Sequence, residues 1–135
     1  MNQHKQKHIL VADDEKNTLD TLGFVLESAN YEVDLAKNGI EALVKIVSVK
    51  DSFHPVDLLV TDLNMPVLSG TELIDFLEKF YIDIPILIIS SYDNSDLKEQ
   101  RWKDKIIEFL TKPFGDQEFL AKIHNLLCKN IQIAH

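Results

Sequence analysis

Five short runs of aliphatic residues recur along the chain, each bounded by polar or turn-forming residues. Continuous apolar runs of this length are typical of strands that are buried on both faces of a sheet. The second run differs, because apolar and polar residues alternate in it, which predicts a half-covered or edge strand. The predicted strands are residues 7–12, 31–36, 56–61, 84–89 and 105–110.

Between the strands, apolar residues recur at three- and four-residue spacings, the pattern of helices that bury one face. This pattern predicts helices at residues 17–29, 40–49 and 71–80, and a closing helix marked by apolar residues between Phe119 and Leu127. Strands that alternate with helices predict an α/β fold built on one parallel, doubly wound sheet.

The segment 93–105 has a weaker helical pattern than the others. Leu97 and Trp102 are its only large apolar residues before Ile106, and five positions apart they share a helix face poorly. Trp102 is interpreted as a packing residue or a surface aromatic. Little apolar burial then offsets the ~1–2 kcal/mol per residue that ordering the backbone costs. We therefore expect the fourth helix to be short, shifted or mobile.

The composition predicts a single acidic domain. The 135 residues carry 14 Lys and Arg against 22 Asp and Glu, a formal net charge of −8, which argues against intrinsic binding to nucleic acid phosphates. The apolar runs fall far short of the ~18 residues that a membrane span needs. The single cysteine, Cys128, excludes an internal disulfide framework and favours a reducing compartment. We expect one domain over residues 1–135, with its core at about 7–128, in the cytoplasm, and Cys128 buried or half-buried.

Polar side chains follow four of the five predicted strands. Asp13 and Asp14 follow the first strand, Asp62 the third, Ser90 the fourth, and Lys112 lies just beyond the fifth. Taken singly, each has an ordinary explanation as a cap, a turn residue, a strand end or a solvated charge. Parallel strands, however, bring their carboxyl ends to one edge of the sheet, where ligands bind in folds of this type.

Three carboxylates gathered at one edge repel one another, so each raises the proton affinity of the others unless a cation is present. Oxygen ligands without a Cys or His set indicate a hard cation, and Mg²⁺ fits best because it takes one or two carboxylates, water and a phosphate oxygen. A lysine and a serine then supply positive charge and a hydrogen-bond donor for a tetrahedral anion. The combination predicts a phosphoryl-transfer site.

The segments around these residues resemble a known family. Residues 11–15 read Val-Ala-Asp-Asp-Glu, residues 62–66 read Asp-Leu-Asn-Met-Pro and are followed by Gly70, and residues 88–91 read Ile-Ile-Ser-Ser. Residues 109–114 read Phe-Leu-Thr-Lys-Pro-Phe. In this order the segments are similar to the receiver domain of response regulators, of the chemotaxis Y type, and the similarity runs from Lys7 to about Leu127.

The resemblance implies a flavodoxin-like five-stranded sheet of order 2-1-3-4-5 flanked by five helices. It implies a domain of two-component signalling that accepts a phosphoryl group from a histidine kinase or a histidine phosphotransfer protein. The domain then switches conformation to control a downstream effector protein or domain. Direct nucleic acid contact, membrane insertion and enzymatic activity beyond self-catalysed phosphoryl transfer and autodephosphorylation are not expected.

The family's site residues can be carried over where the motifs match. Asp62 matches the phosphoacceptor, which is also a Mg²⁺ ligand. Asp14 matches the direct Mg²⁺ ligand, and Asp13 matches the acid that usually holds the metal through water. Asn64 matches the position whose backbone carbonyl binds the metal.

Three further positions match the family's switching residues. Ser90 matches the hydroxyl that binds the phosphoryl oxygen, and Lys112 matches the ammonium that pairs with it. Phe109 matches the switch aromatic, which turns inward when that hydroxyl moves toward the phosphate. The resemblance also implies a cis peptide bond between Lys112 and Pro113.

The chain departs from the family pattern at three places, and other functions stay open. Lys105 and Ile106 stand where the family commonly has Gly-Ala, Ser91 follows the switch hydroxyl, and Tyr92 leaves the rate of hydrolysis open. The main alternative is a phosphorylation-independent receiver that serves as an interaction module. A flavin mononucleotide protein is disfavoured by the acid cluster, and a magnesium phosphohydrolase by Asn64, which stands where that class has a second acid.

The histidines and glycines add no further site. None of the histidines has metal-ligand spacing, so they are interpreted as solvated or satisfied by hydrogen bonds. They are His4, His8, His54, His124 and His135. The four glycines form neither a dinucleotide-binding nor a Walker loop.

Overall fold

The computed structural model describes the backbone of residues 6–94 and 96–133. Its strands are β1 (His8–Ala12), β2 (Glu32–Ala36), β3 (Leu58–Asp62), β4 (Ile86–Ser90) and β5 (Ile107–Thr111). In this part of the chain they form one parallel sheet with the spatial order β2-β1-β3-β4-β5. The predicted sheet, its strand order and the edge position of β2 are confirmed.

Helices cover both faces of the sheet. They are α1 (Lys16–Ser28), α2 (Gly39–Val49), α3 (Gly70–Lys79), α4 (Leu97–Arg101) and α5 (Asp116–Ile133). Apolar residues of α1 and α5 pack on one face, and those of α2, α3 and the α4 segment pack on the other. Within residues 6–94 and 96–133, no helix combines the length and apolarity needed to cross a bilayer.

The strands begin one or two residues later than predicted, and three of them end one residue later. The apolar residues that precede a strand are buried without joining the parallel ladder, as Val56 is before β3. At the other end the ladder includes polar residues, because Asp62 pairs with Ile89 and Ser90 pairs with Thr111. Two polar residues of the predicted site are therefore the last residues of their strands.

Side chains in the connecting loops determine where two helices begin. Asn38 accepts a hydrogen bond from the Glu41 backbone N–H at 2.8 Å and caps α2. Ser69 and Glu72 form a reciprocal capping box at α3. The Glu72 N–H donates to Ser69 Oγ at 3.1 Å, and the Ser69 N–H donates to Glu72 Oε1 at 3.0 Å. The β3–α3 loop, which follows Asp62, is thus fixed at its far end.

The fourth helix is short, as predicted, with five residues against ten or more in the other helices. The expected lack of apolar burial in this segment is only partly correct. Trp102, at the end of α4, is 1% exposed and belongs to the core on the α2–α3 face, so it is a packing residue. Leu97 is half-buried against the same core. The mobility of the segment stays a prediction.

His8 is a satisfied buried histidine, as interpreted from the sequence. Its Nε2 lies 2.7 Å from Asp34 Oδ2 and its Nδ1 lies 2.9 Å from the His54 carbonyl oxygen. These contacts join the start of β1 to β2 and to the α2–β3 loop. His4 and His135 lie outside the described residues.

The prediction that Cys128 is buried or half-buried is wrong, because its side chain is exposed. The core-facing positions of α5 are taken by residues such as Leu126 and Leu127, and the following residue points away from the sheet. The Cys128 sulfur lies 3.6 Å from His124 Nε2, one helical turn away.

Val67, in the β3–α3 loop, has a backbone conformation that β-branched residues rarely adopt. Its φ is 70°, and the Leu68 N–H donates to the Pro66 carbonyl oxygen at 2.7 Å across it. This hydrogen bond closes a three-residue γ-turn, whose positive-φ form is rare and strained. The side chain is 77% exposed, so packing within the domain contributes little to offset the strain.

We predict that Val67→Gly stabilises the domain by about 0.5–1 kcal/mol, because glycine relieves a left-handed penalty of ~1–2 kcal/mol at a smaller entropic cost. Urea denaturation measures the change in the free energy of unfolding. Val67→Ala is the matched control, since it shortens the side chain but keeps the Cβ that causes the strain. Equal stability of the two variants would contradict the prediction.

Candidate functional site

The sheet brings polar residues from β1, β3, β4 and β5 to one edge. Asp13 follows β1 directly, and Asp62 and Ser90 are the last residues of β3 and β4. Lys112 follows β5, and its backbone N–H donates to the Ser90 carbonyl oxygen at 2.7 Å, which continues the ladder by one bond. The fold therefore brings these four residues together at the carboxyl edge of the sheet, as predicted.

Lys112 bridges two carboxylates. Its Nζ lies 3.0 Å from Asp13 Oδ2 and 2.9 Å from Asp62 Oδ2. The Asp13 side chain is 1% exposed, that of Asp62 13% and that of Lys112 22%, so the bridge is shielded from water on one side and open on the other. Screening by solvent is therefore weaker here than for a surface ion pair.

Burial and charge act against each other at this bridge. Desolvation raises the pKa of Asp13, and the hydrogen bonds from the Glu15 N–H and the Lys112 ammonium oppose this rise without cancelling it. The neighbouring Asp62 charge raises the pKa of Asp13 further. For Lys112, burial lowers the pKa, but hydrogen bonds to Asp62 and Asp13 outweigh it and raise the pKa overall. The site thus favours a charged lysine and additional positive charge.

The carboxylate oxygens that do not contact Lys112 accept backbone hydrogen bonds. Asp13 Oδ1 accepts from the Glu15 N–H at 2.9 Å, and Asp62 Oδ1 accepts from the Asn64 N–H at 3.0 Å. Asp14 and the side chain of Asn64 are exposed to solvent beside them. The backbone around each acid therefore fixes the orientation of its carboxylate.

The oxygen atoms at this edge fit a hard divalent cation such as Mg²⁺. Across the described residues, no group of three or more His, Cys, Asp or Glu side chains is arranged as a metal-ligating cluster. Mg²⁺ does not need one, because it commonly takes one or two carboxylates and completes its shell with water and phosphate oxygens. Asp13, Asp14 and Asp62 offer carboxylates of this kind, and Asn64 offers a backbone carbonyl.

Gly70 lets the β3–α3 loop fold back against Asp62. Its N–H donates to the Leu63 carbonyl oxygen at 2.9 Å. A Cβ at this position would lie 2.1 Å from the Asp62 carbonyl oxygen and 2.8 Å from the Leu63 Cα. Only glycine permits this approach without a shift of the backbone that carries the acid.

The Ser90 hydroxyl faces the β4–α4 loop. Its Oγ accepts hydrogen bonds from the Tyr92 N–H at 3.2 Å and from Asn94 Nδ2 at 3.0 Å. Asn94 was missed by sequence reasoning, and the only signal for it was an amide residue four positions after a strand-end serine.

Phe109 is half-buried on β5 and packs against the core on the α2–α3 face. The sheet therefore brings Asp13, Asp62 and Lys112 into direct contact, while Ser90 and Phe109 lie beside them.

A family model for the response regulator receiver domain matches residues 9–124. The chain belongs to this family. The peptide bond between Lys112 and Pro113 is cis, as the resemblance implied for a receiver domain. Receiver domains are signalling modules that interact with histidine kinases and effectors.

Relatives of this receiver domain include both transcriptional regulators and kinases. The transcriptional regulatory protein KdpE of Mycobacterium tuberculosis is 31% identical over 126 residues, 93% of this chain and 53% of that protein. The sensor histidine kinase TmoS of Ectopseudomonas mendocina is 31% identical over 133 residues, 96% of this chain and 13% of the kinase. The chain thus spans about half the length of the first and a small part of the second.

A solved receiver domain from Clostridium thermocellum superposes on this one with a TM-score of 0.81 at 28% sequence identity. The match covers 94% of this chain and 98% of that chain. The sheet and its helices therefore have the arrangement of a known response regulator receiver domain over nearly their whole length.

We predict that Gly70→Ala displaces the Asp62 backbone and destabilises this receiver domain by about 1–3 kcal/mol, the usual cost of overpacking. Gly115→Ala is the matched control, because a Cβ there has no neighbour within 4 Å. Urea denaturation gives the stability of each variant, and two-dimensional amide NMR spectra report the position of the β3–α3 loop. Similar stability and spectra for both variants would refute the close contact.

Proposed function

We propose that this receiver domain accepts a phosphoryl group on Asp62 and switches a partner protein as a result. The observation that carries the proposal is the Lys112 ammonium, which contacts Asp62 and Asp13 at once. A lysine so placed holds the Asp62 carboxylate at the edge of the sheet and can pair with the phosphoryl oxygens that arrive on it. This arrangement supports a phosphoryl acceptor more than a structural ion pair, because the site lies at the ligand-binding edge of the sheet.

The chemistry is an in-line transfer from a phosphohistidine. A carboxylate oxygen of Asp62 forms a bond to phosphorus as the bond from phosphorus to the histidine nitrogen breaks. The electron pair of that bond stays on the imidazole, which is then protonated, and Asp62 becomes an acyl phosphate. Lys112 offsets the charge on the equatorial oxygens, so that the protein acts through position and charge.

Mg²⁺ would supply a second positive charge for the phosphoryl oxygens. We assign Asp13, Asp14, Asp62 and the backbone carbonyl of Asn64 as the groups that would hold it. The raised pKa of Asp13, caused by burial and by the neighbouring Asp62 charge, supports a demand for a further cation. With Mg²⁺ bound, the phosphoryl dianion would meet a site of reduced negative charge.

Ser90 and Phe109 are the proposed switching residues. Ser90 would turn its hydroxyl toward a phosphoryl oxygen, and Phe109 would move inward into the space next to it. Residues of the first two turns of α1, the β5–α5 loop and the start of α5 line a groove beside Lys112, on which a phosphodonor protein would dock. The groove is lined by Asn17, Thr18, Thr21, Leu22, Lys112, Pro113, Phe114 and Asp116.

We place the domain over residues 1–135 in the cytoplasm, with a histidine kinase or histidine phosphotransfer protein upstream and an effector protein or domain downstream. The relatives named above carry a similar segment within a transcriptional regulator and within a sensor kinase, which supports a role in signalling between proteins of these two kinds. A phosphorylation-independent receiver is the second candidate. It is disfavoured by the contact of Lys112 with both Asp13 and Asp62, since an interaction module would not need this bridge.

Asp62→Asn is expected to abolish labelling of the protein by a small-molecule phosphodonor such as acetyl phosphate with Mg²⁺, because the amide is a poor nucleophile. Chelation of Mg²⁺ is expected to do the same in the unsubstituted protein. Intact-protein mass spectrometry detects the added phosphoryl group. Asp51→Asn, at an exposed side chain in the α2–β3 loop, is the control and should label normally. Labelling that survives both the Asp62 substitution and chelation would defeat the assignment.

Lys112→Met is expected to leave the fold intact at reduced stability, because the buried Asp13 carboxylate loses its cationic partner. The variant should also lose the conformational response to beryllofluoride, a phosphoryl mimic, since the methionine carries no charge. Backbone chemical shifts with and without beryllofluoride and Mg²⁺ measure the response. Lys50→Met, in the α2–β3 loop, controls for the loss of a lysine elsewhere. A normal response in Lys112→Met would remove the proposed role.

A further inference from the structure

The Ser90 hydroxyl is held on the loop side of β4. Ser90 is 3% exposed, and its Oγ accepts two hydrogen bonds, from the Tyr92 N–H and from Asn94 Nδ2. Serine side chains occupy three staggered rotamers about χ1. A change to another rotamer moves Oγ by more than the tolerance of a hydrogen bond, so it breaks both contacts together.

Asn94 connects this hydroxyl to the start of α4. Its carbonyl oxygen accepts a hydrogen bond from the N–H of Leu97, the first residue of the helix, at 3.0 Å. Its Nδ2 also donates to the Tyr92 carbonyl oxygen at 3.1 Å. The side chain and the backbone of one half-buried residue thus link Ser90 to the helix.

The other end of α4 is tied to α3. The Asp75 carboxylate accepts hydrogen bonds from Trp102 Nε1, at 3.2 Å, and from the Arg101 guanidinium. A helix of five residues is too short to be stable by itself in water. The conformation of α4 therefore depends on what holds its two ends, and the first end depends on Asn94.

We propose that Asn94 is a latch: it holds the Ser90 hydroxyl in the unphosphorylated rotamer and passes the release of that hydroxyl to the first turn of α4. This inference rests on the proposed function, in which Ser90 turns toward a phosphoryl group on Asp62. Asn94 is a positioning residue, since it acts through Ser90 and touches no reacting atom. Release of its amide costs one neutral hydrogen bond, which corresponds to about a fivefold change in the switching equilibrium.

The test uses the full chain, with beryllofluoride and Mg²⁺ as the probe. Fluorescence of Trp102, the only tryptophan, reports on α4 during the titration, and amide exchange reports on residues 97–101 in the free protein. Asn94→Ala should bind beryllofluoride about fivefold more tightly and exchange faster over these residues. Gln100→Ala is the matched control, because it removes an exposed side-chain amide from α4 itself. It should leave the affinity for beryllofluoride unchanged.

A double-mutant cycle separates a latch from a general loosening of the loop. In a Ser90→Ala background there is no hydroxyl to hold, so adding Asn94→Ala should no longer change the affinity for beryllofluoride. An effect of Asn94→Ala that persists in this background would overturn the latch. So would an unchanged affinity in the single variant. If Asn94→Ala fails to fold, Asn94→Leu, which has a similar shape and no amide, carries the same expectation.

The unsubstituted protein distinguishes failure of the latch from failure of the proposed function. If acetyl phosphate labels Asp62 and beryllofluoride changes the spectra while the Asn94 variants behave like the parent, only the latch is refuted. If the unsubstituted protein neither labels nor responds, the proposed function fails and the latch fails with it.

Discussion

The ammonium of Lys112 allows two carboxylates to share one edge of a sheet. Asp13 is buried and Asp62 nearly so, and without a cation between them the two carboxylates would repel each other where little water is present to screen them. The contact joins the ends of β1, β3 and β5, three strands that are not all neighbours in the sheet. The geometry of the site therefore depends on one charge contributed by a residue 99 positions away from the acid it neutralises.

Backbone packing around Asp62 determines where the carboxylate that contacts Lys112 lies. Gly70 approaches the Asp62 carbonyl so closely that the start of α3 packs directly against the end of β3. The capping box of Ser69 and Glu72 then fixes the direction in which α3 leaves the loop. Between these constraints lies Val67, whose unfavourable φ shows that the loop path is determined by its two ends. The Lys112 charge thus positions the carboxylate of Asp62, and packing against Gly70 positions its backbone.

The sequence was sufficient for the sheet and for most of the site, because both follow from local patterns. Parallel strands deliver their carboxyl ends to one edge, so the positions of Asp13, Asp62, Ser90 and Lys112 could be expected from strand order alone. Asn94 could not, since its contact depends on the rotamer of Ser90 and on the path of a loop.

Other features could not be predicted from the sequence, because they also depend on how distant segments pack together. The contact of Trp102 with Asp75 joins residues 27 apart, and no periodicity encodes it. The fourth helix was therefore predicted to be short for lack of apolar burial, although its tryptophan is among the most buried side chains in the described part of the chain. Cys128 was predicted to be buried because free cysteines behave as small apolar residues, but its position on α5 is exposed.

The way α4 is attached has a consequence for how such a domain can change over evolutionary time. Trp102 and Leu97 supply its core contacts and Asp75 and Asn94 its polar ones, so the exposed side chains of Gln100, on the helix, and Lys103, just after it, carry little of the fold. Substitutions there alter surface shape and charge at small cost in stability. Gene duplicates of this domain could therefore acquire new binding partners through this segment while the edge that carries Asp13, Asp62 and Lys112 stays as it is.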